Sequence, residues 1–355
     1  MAQTICLRAE SKKNERRAAL VPEDARLLLD AGFEVVVERS DQRIIPIEEY
    51  QAAGCKIVDE GSWPSASADC FILGIKELPD DDSPLRHRHV YFGHVYKEQQ
   101  GWRKTLGRFA EGGGTLFDLE CLVDSDGRRI AAFGYWAGFA GAAVAVQVWC
   151  SQKTGTASSI GEINAYESKD LLIAELRTSM NGIDQVPSMI VIGAKGRSGS
   201  GAVNLGKLLD LPVTEWDMAE TRSGGPFPEI IQHEIFVNCV LATPETPLFV
   251  GTGEVNNPSR KLSVISDVSC DPLSPYNPIP VYSLTSTFDD PTIRVANGPI
   301  PLDVISIDHL PSMLPLESSE DYSRQLLPAL LALDVPEEGV WGRALGQFNK
   351  HLKRL

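Results

Sequence analysis

The sequence predicts an α/β protein with two doubly wound domains, each built around a mainly parallel sheet. Three observations support this prediction. Short apolar runs of strand length alternate with segments of helical periodicity, an Ala/Gly-rich segment without charge interrupts the alternation near residue 140, and a second set of strand-like runs follows it. The 355 residues also suit two domains of about 150 residues each.

The first half of the chain opens with a β-α-β unit. Residues 4–7 and 33–38 read as strands, and the helix predicted between them has Pro22 and acidic residues in its first turn and Gly32 at its end. The alternation then continues to about residue 133. The further elements expected here are strands at 70–75, 90–95 and 115–117, and a helix at 102–109 that ends at the glycines 112–114.

The second half repeats the pattern after a helix that begins at about Gly134. Strands are expected at 188–192, 213–216, 235–240 and 262–266. From Ser318 onward apolar residues recur at helical spacing, and we expect this segment to fold back across the first domain. The predicted domains are therefore residues 1–133 plus about 318–355, and residues 134–317.

Composition and charge exclude several classes of partner. The chain has 48 acidic against 33 basic residues, and a net charge of −15 disfavours nucleic acid and anionic membranes, which leaves small molecules. Seven scattered cysteines, without CxxC or a Cys/His cluster, predict reduced thiols and no metal site. With no secretory signal ahead of the first strand, we expect a cytoplasmic protein. The terminal Lys353-Arg354-Leu355 loosely resembles a peroxisomal signal, although a basic frayed tail is favoured.

Residues 130–150 carry no charge and have the length of a membrane span. Their richness in Ala and Gly makes the apolar gain small, and the spacing Gly134-x-x-x-Gly138 suits close helix packing in a protein core. A helix buried between the two domains is therefore the favoured interpretation.

The strongest local motif is a glycine-rich turn between the apolar run 190–192 and a helical segment. Such glycines let a pyrophosphate approach backbone N–H groups at the helix N-terminus. Asp217, at the end of the next strand, would bind ribose hydroxyls and repel a 2′-phosphate, which favours NAD over NADP, whereas Arg222 counts against that preference. The alternative is a glycine-rich turn without a ligand. The residues assigned to the cofactor are Gly193, Gly196, Arg197, Ser198, Gly199, Gly201, Asp217 and Arg222.

Two titratable residues follow expected strands of the first domain. Lys76 ends the run 70–75, and His94 lies near the end of the run 90–95. Because ligands bind at the carboxyl ends of parallel strands, the two side chains would face one crevice. The alternative is a lysine that reaches solvent and a histidine that either belongs to a surface group with His87 and His89 or is satisfied in the core. Nearby charged residues are surface charges by default, although Arg17 and Arg129 would bind carboxylates if they pointed inward.

Eight runs, in order along nearly the whole chain, carry a family resemblance. They are Leu7-Arg-Ala-Glu10, Arg17-Ala-Ala-Leu20, Gly74-Ile-Lys-Glu77, Gly127-Arg-Arg-Ile-Ala-Ala-Phe-Gly134, Ala137-Gly-Phe-Ala-Gly-Ala-Ala143, Gly224-Gly-Pro-Phe227, Asn277-Pro-Ile-Pro280 and Val304-Ile-Ser-Ile-Asp-His-Leu-Pro311. On these runs the chain resembles the NAD-dependent, L-lysine-forming saccharopine dehydrogenases of the fungal α-aminoadipate pathway, distant relatives of alanine dehydrogenase and transhydrogenase.

The resemblance implies two Rossmann-like doubly wound domains with an interdomain active-site cleft, a monomer, and NAD as cofactor. The implied reaction cleaves saccharopine with NAD and water to L-lysine, 2-oxoglutarate and NADH, the last step of that route of lysine biosynthesis. The implied roles are Lys76 and His94 as acid-base pair; Lys12, Glu15, Glu77 and Glu120 as charges that tune it; Arg17, Arg129 and Phe133 on the substrate; and Asp308 and His309 near the nicotinamide.

Two departures from the family pattern are visible. Several members have Cys where Ser198 stands, so a disulfide to the position of Cys239 is not available here. The usual Thr-Ser-Arg order is Thr221-Arg222-Ser223 in this chain, which leaves the role of Arg222 open. Two other functions are also considered: a related opine or amino-acid dehydrogenase acting on another amine or keto acid, and a non-catalytic NAD-binding sensor.

Overall fold

A computed structural model describes residues 3–155 and 160–355. The chain forms two compact units, one of Met1–Ala132 with Pro315–Leu355 and the other of Phe133–Leu314. The sequence placed these limits at residue 133 and at about residue 318.

The described residues alternate strands and helices along the whole chain. The strands are β1 (Thr4–Leu7), β2 (Glu34–Glu38), β3 (Lys56–Val58), β4 (Phe71–Leu73), β5 (Arg88–Tyr91), β6 (Thr115–Asp118), β7 (Met189–Ile192), β8 (Val213–Trp216), β9 (Ile235–Asn238), β10 (Val264–Asp267), β11 (Ile293–Ala296) and β12 (Leu302–Ile305). The helices are α1 (Pro22–Asp30), α2 (Ile47–Ala52), α3 (Trp102–Gly112), α4 (Gly134–Thr154), α5 (Lys169–Met180), α6 (Arg197–Leu208), α7 (Met218–Thr221), α8 (Thr252–Val255), α9 (Pro315–Leu330) and α10 (Gly339–Leu352).

The sheet of the first unit has six parallel strands in the order β3-β2-β1-β4-β5-β6. Its central strands are apolar because helices cover both faces of such a sheet, and all residues of β4 are buried. Since the strands are parallel, the residues that follow β1, β4, β5 and β6 lie along one edge. That edge carries the polar side chains described below.

The sheet of the second unit has the order β11-β12-β10-β9-β7-β8. Its strands pair in parallel except for β11, which pairs antiparallel with β12. β7 is completely buried in the middle of this sheet, and the glycine-rich turn follows it directly. The α/β alternation was predicted, but the sequence analysis identified neither β11 and β12 nor the elements α2, β3 and α5.

Two strands of the first unit end earlier than predicted. The expected strand 70–75 is limited to Phe71–Leu73, and the expected strand 90–95 is Arg88–Tyr91. Apolar residues continue past both strands because the loops are also buried, so the apolar run overestimates the strand. Lys76 and His94 therefore lie in loops beyond the strands, and the prediction that they end the strands was wrong.

Helix α4 belongs to the second unit. It packs against α6 and the sheet of its own unit. A Cβ on Gly138 would lie 1.7 Å from the carbonyl oxygen of Ser198, and one on Gly201 would lie 1.9 Å from that of Tyr135. Glycine is thus required on both helices for their close approach. Within the described ranges the structure contains no helix with the length and apolar content needed to cross a membrane.

The C-terminal segment consists of two helices, α9 and α10, and completes the first unit. The hydroxyl of Ser319 accepts the backbone N–H of Ala18 at 2.8 Å. The ring of Trp341 packs edge-on against Phe117 of β6, with 5.6 Å between ring centroids. A single sheet is thus covered by residues from the two ends of the chain.

Candidate active site and cofactor site

The carboxyl edge of the first sheet gathers charged side chains from four strands. They are Arg8, Glu10, Glu15 and Arg17 after β1, Lys76 and Glu77 after β4, His94 after β5, and Asp118 and Glu120 at the end of β6. Asp118 is buried, and so are all four charged side chains that follow β1. Because burying a charge is costly unless it is paired, each of these buried groups needs a specific partner.

Lys76 is mostly buried, and burial lowers the pKa of its amine below the ordinary value. The positive charges of Arg17 and Lys12 lower this pKa further, whereas Glu15 and Glu77 oppose the change. The amine can therefore lose its proton more easily than an exposed lysine. The structure brings four of the predicted tuning and binding residues into the electrostatic environment of Lys76.

Glu15 and Arg17 form a buried ion pair close to this lysine. The guanidinium of Arg17 donates from Nε to Glu15 Oε1 at 2.8 Å and from Nη2 to Oε2 at 2.6 Å. Burial raises the pKa of Glu15, but the charge and hydrogen bonds of Arg17 outweigh burial and keep this pKa below the ordinary value. Arg17, assigned above to a substrate carboxylate, thus already holds a carboxylate of the protein.

His94 lies in the loop after β5 and is hydrogen-bonded through Nδ1 to the carboxylate of Glu77. Its φ of +51° is in the left-handed region, which costs a residue other than glycine about 1–3 kcal/mol. The hydrogen bond to Glu77 raises the pKa of His94 against the opposing effect of burial. Burial raises the pKa of Glu77, but the hydrogen bond with His94 and other contacts lower it overall to about 2. The charge states of the two side chains therefore depend on each other.

Asp118 at the end of β6 is a residue that the sequence analysis did not identify. Its carboxylate accepts the backbone N–H of Gly93 at 3.2 Å and that of Glu120 at 2.9 Å. Burial raises its pKa to about 6, and His94 is among the charges that oppose this. An acidic residue at the end of a buried strand was the available signal, since such ends form the ligand-binding edge.

Glu120 and Arg129 form a more exposed pair. Arg129 Nη2 donates to Glu120 Oε1 at 2.9 Å, and Lys97 Nζ lies 3.8 Å from the same oxygen. Glu120 also contributes to raising the pKa of His94. Glu120 therefore belongs to the charged environment of the histidine, and Arg129 is its ion-pair partner.

In the second unit the turn after β7 has the backbone shape that a phosphate site needs. Gly193 has a φ of +84°, and a Cβ on Gly199 would lie 2.0 Å from the carbonyl oxygen of Gly193. The turn leads into α6, whose first N–H groups have no intrahelical acceptor, as at any helix start. A side chain at Gly199 would collide with the backbone of the turn, and the positive φ at Gly193 favours glycine there.

A cavity of about 650 Å³ adjoins this turn. Among its lining residues are Gly193, Gly196, Asp217, Met218 and Arg222. This volume is within the usual range of small-molecule sites, about 300–1,000 Å³. The backbone cradle and the cavity together fit the pyrophosphate and adenosine of a dinucleotide.

Asp217 caps the short helix α7 at the rim of this cavity. One carboxylate oxygen accepts the N–H of Lys195 at 3.1 Å and the other that of Met218 at 2.9 Å. A carboxylate oxygen can accept more than one hydrogen bond, so a ribose hydroxyl can join these donors. Arg222 ends α7 and is exposed at the same cavity.

Other residues assigned to substrate or cofactor have different surroundings. Ser198 and Gly201 face the backbone of α4, so the reason for a glycine at 201 is helix packing. Phe133 falls in the second unit, where its carbonyl accepts the N–H of Ala137 at 3.0 Å. Asp308 and His309 are joined by a hydrogen bond of 2.5 Å between Oδ1 and Nδ1. No group of three His, Cys, Asp or Glu side chains suited to a metal ion occurs in residues 3–155 and 160–355.

Comparison with known proteins matches residues 6–140 to the family model "Alanine dehydrogenase/PNT, N-terminal domain". A saccharopine dehydrogenase (NAD⁺, L-lysine-forming) of Emericella nidulans is 50% identical over 367 residues, covering 99% of this chain and 98% of that protein. The enzyme of the same name from Yarrowia lipolytica is 47% identical over 359 residues, covering 98% and 97%.

The solved structure of an L-alanine dehydrogenase superimposes with a TM-score of 0.65 at 16% identity, covering 97% of this chain and 94% of that one. This likeness concerns the fold alone and confirms the expected Rossmann-like α/β architecture. Because relatives that are 47% and 50% identical in sequence align over 98% and 99% of this chain, the chain belongs to the family of NAD-dependent, L-lysine-forming saccharopine dehydrogenases.

Proposed function

We propose that this chain cleaves saccharopine with NAD and water to L-lysine, 2-oxoglutarate and NADH, as the final step of the α-aminoadipate route of lysine biosynthesis. The names of its relatives give the substrate, the cofactor and the product lysine. One observation carries the chemistry: a partly buried lysine of lowered pKa and a histidine of raised pKa share one sheet edge. Perturbed groups of this kind gather at functional sites.

Lys76 is the base of the oxidation step in this proposal. Saccharopine is a secondary amine, and its oxidation removes a proton from nitrogen and a hydride from the neighbouring carbon. The neutral amine of Lys76 accepts the proton, and burial together with Arg17 and Lys12 favours that neutral form. NAD, when bound, supplies the hydride acceptor.

His94 acts in the hydrolysis that follows. Oxidation leaves an imine, and His94 removes a proton from the water that adds to the imine carbon. Lys76, protonated in the oxidation step, and His94 then return protons to the nitrogen. The C–N bond breaks as the hydroxyl of the adduct loses its proton to Lys76, and lysine and 2-oxoglutarate are released. Because Nδ1 of His94 is hydrogen-bonded to Glu77, Nε2 is the ring nitrogen assigned to accept the proton from water. Glu77 and Glu120 balance the positive charges of the lysine, the histidine and the substrate, so protons can move without a large net charge accumulating.

The remaining residues hold the reactants. Backbone N–H groups at the start of α6 would bind the pyrophosphate, with Asp217 on the ribose. Gly193 and Gly196 would let it approach, since their own N–H groups already donate to the carbonyl oxygens of Trp216 and Gly193. Arg222 is assigned to the adenosine side, and Asp308 and His309 to the nicotinamide end. In the same proposal Arg17 and Arg129 bind the substrate carboxylates, with Phe133 beside them, in competition with the carboxylates these arginines already hold.

The deciding experiment is absorbance at the NADH band after saccharopine and NAD are added, with NADP as the control. We expect NADH to form with NAD only. In the reverse direction, lysine, 2-oxoglutarate and NADH should react, and replacing lysine by ornithine or 2-oxoglutarate by pyruvate should abolish most turnover. Preference for one of those replacements would indicate a related dehydrogenase, and NADH binding without any turnover would indicate a sensor.

Asp217→Ala is expected to weaken NAD binding by about 10–100-fold, because hydrogen bonds to a charged group contribute about 1.5–3 kcal/mol. Discrimination against NADP should also relax, since the charge that repels a 2′-phosphate is gone. Titration of each cofactor by fluorescence measures both effects. Glu215→Ala is the matched control, since this exposed carboxylate lies on β8 and pairs with Lys207 of α6 at 2.8 Å. An unchanged cofactor preference in Asp217→Ala would place the ribose contact elsewhere.

Glu77→Gln is expected to move the acidic limb of the pH profile of kcat/KM to lower pH. The carboxylate raises the pKa of His94 and opposes the lowering of the Lys76 pKa, so its removal lowers both values. Activity rises with pH as these bases lose their protons, and it should therefore appear earlier in the variant. Glu98→Gln, which removes a surface pair with Arg354, should leave the limb unchanged. A limb that stays or moves to higher pH in Glu77→Gln would contradict the pairing.

A further inference from the structure

Lys76 lies in a loop, yet both polar groups of its backbone are held by buried side chains. Oε1 of Glu10 accepts the N–H of Ile75 at 2.6 Å, and Oε2 accepts the N–H of Lys76 at 3.0 Å. Glu10 itself follows β1, and only 6% of its side chain is exposed. Its carboxylate thus receives the two N–H groups that β4 would have paired had it continued.

Arg8 holds the other backbone group of the same lysine. Its Nη2 donates to the carbonyl oxygen of Lys76, while Nη1 donates to Glu10 at 3.2 Å and to the carbonyl oxygen of Ala9 at 3.1 Å. A Cβ on Gly74 would lie 2.5 Å from Nε of Arg8, so a glycine at 74 leaves the space that the guanidinium occupies. The guanidinium and the carboxylate are paired with each other, which offsets the cost of burying both charges.

We propose that Arg8 and Glu10 are positioning residues, which fix the backbone of Lys76 through its N–H and its C=O and so hold its amine at the carboxyl edge of the first sheet. This inference rests on the proposed role of Lys76. A fixed backbone keeps the amine within the short distance that proton transfer requires, and a displacement of about 1 Å can cost about 100-fold in rate. The pair touches the loop and acts only through Lys76.

The direction in which the Lys76 pKa changes in Glu10→Gln separates a positioning role of Glu10 from a purely electrostatic role and from a purely structural one. Glu10→Gln removes a negative charge near Lys76, and a purely electrostatic role would lower the lysine pKa further. Loss of positioning instead releases the side chain toward water and raises this pKa, because burial is the main cause of its lowering. A purely structural role changes the melting temperature alone.

The test is competitive acetylation of the full-length protein with trace acetic anhydride across a pH series, read by mass spectrometry of the peptide containing Lys76. In Glu10→Gln we expect the midpoint for Lys76 to move to higher pH, and kcat with saccharopine to fall about 10–100-fold while KM changes less than about threefold. Glu234→Gln is the control, since that carboxylate accepts the N–H of Ser188 at 2.8 Å in the other unit. It should leave the Lys76 midpoint unchanged.

Arg8→Lys provides a second variant should Glu10→Gln fail to fold. It keeps the positive charge but cannot reach Glu10 and the Lys76 carbonyl together, so the Lys76 midpoint should again rise. An unchanged or lowered midpoint in the folded variants would overturn the inference. The acetylation readout needs no substrate, so it still decides the role of the pair if saccharopine turns out not to be the substrate.

Discussion

Lys76→Met is expected to lower kcat by about 10²–10⁴-fold, the usual contribution of one general base, with NAD affinity almost unchanged. Methionine fills the space of the lysine side chain but cannot accept a proton, so the loss should fall on the chemical step. NAD affinity should persist because the residues assigned to the cofactor belong to the second unit. Single-turnover measurement of NADH formation reports the rate of the chemical step, and a separate NAD titration reports cofactor affinity.

The matched control for this variant is Lys104→Met. Lys104 lies in the same unit, but its amine forms surface ion pairs with Asp80 at 2.8 Å and Asp82 at 3.1 Å. Pairs of this kind contribute little to stability, so the control should retain full activity. Equal activity of Lys76→Met and the control would remove Lys76 from the mechanism.

Gly138→Ala is expected to destabilise the second unit by about 3 kcal/mol, the upper part of the usual range for overpacking. The new methyl group would lie 1.7 Å from the carbonyl oxygen of Ser198, and a backbone atom cannot rotate away as a side chain can. Helices α4 and α6 must then separate. For a unit of this size the melting temperature should fall by about 6–12 °C in calorimetry.

Gly253→Ala is the control for that variant. Gly253 lies in helix α8 of the same unit, and a Cβ there would meet no atom within 4 Å. Alanine should be neutral or slightly stabilising because it restricts the unfolded chain. Equal melting temperatures for Gly138→Ala and the wild type would show that α4 and α6 do not need the close approach.

Much of the fold follows from local sequence patterns. The strands β1, β7 and β8 were predicted within one residue of their observed bounds. β1 and β7 are mainly apolar and buried, whereas β8 is marked by Pro212 before it and Asp217 after it. The sequence analysis missed β12 although all four of its residues are buried. The reason is that Asp303, its second residue, interrupts the apolar run. The Asp303 carboxylate pairs with Arg294 of β11 at 2.6 Å, a contact that no local pattern contains.

The candidate site also has residues that the sequence could predict and residues that it could not. The glycine turn and Asp217 could be predicted because phosphate binding imposes a fixed local spacing along the chain. The partners of Lys76 could not, since Arg8 and Glu10 reach it across two neighbouring strands and a long interval of sequence. Pairings of this kind depend on strand order, which a single sequence leaves open.

The arrangement of the first unit has a consequence for synthesis on the ribosome. Its sheet is built from the first part of the chain, but α9 and α10, which contact Ala18 and cover β6, are translated only after the whole second unit. The contiguous unit from Phe133 to Leu314 is complete before them. Nascent chains should therefore acquire a protease-resistant second unit first, while the sheet of the first unit stays uncovered until α9 and α10 emerge from the exit tunnel.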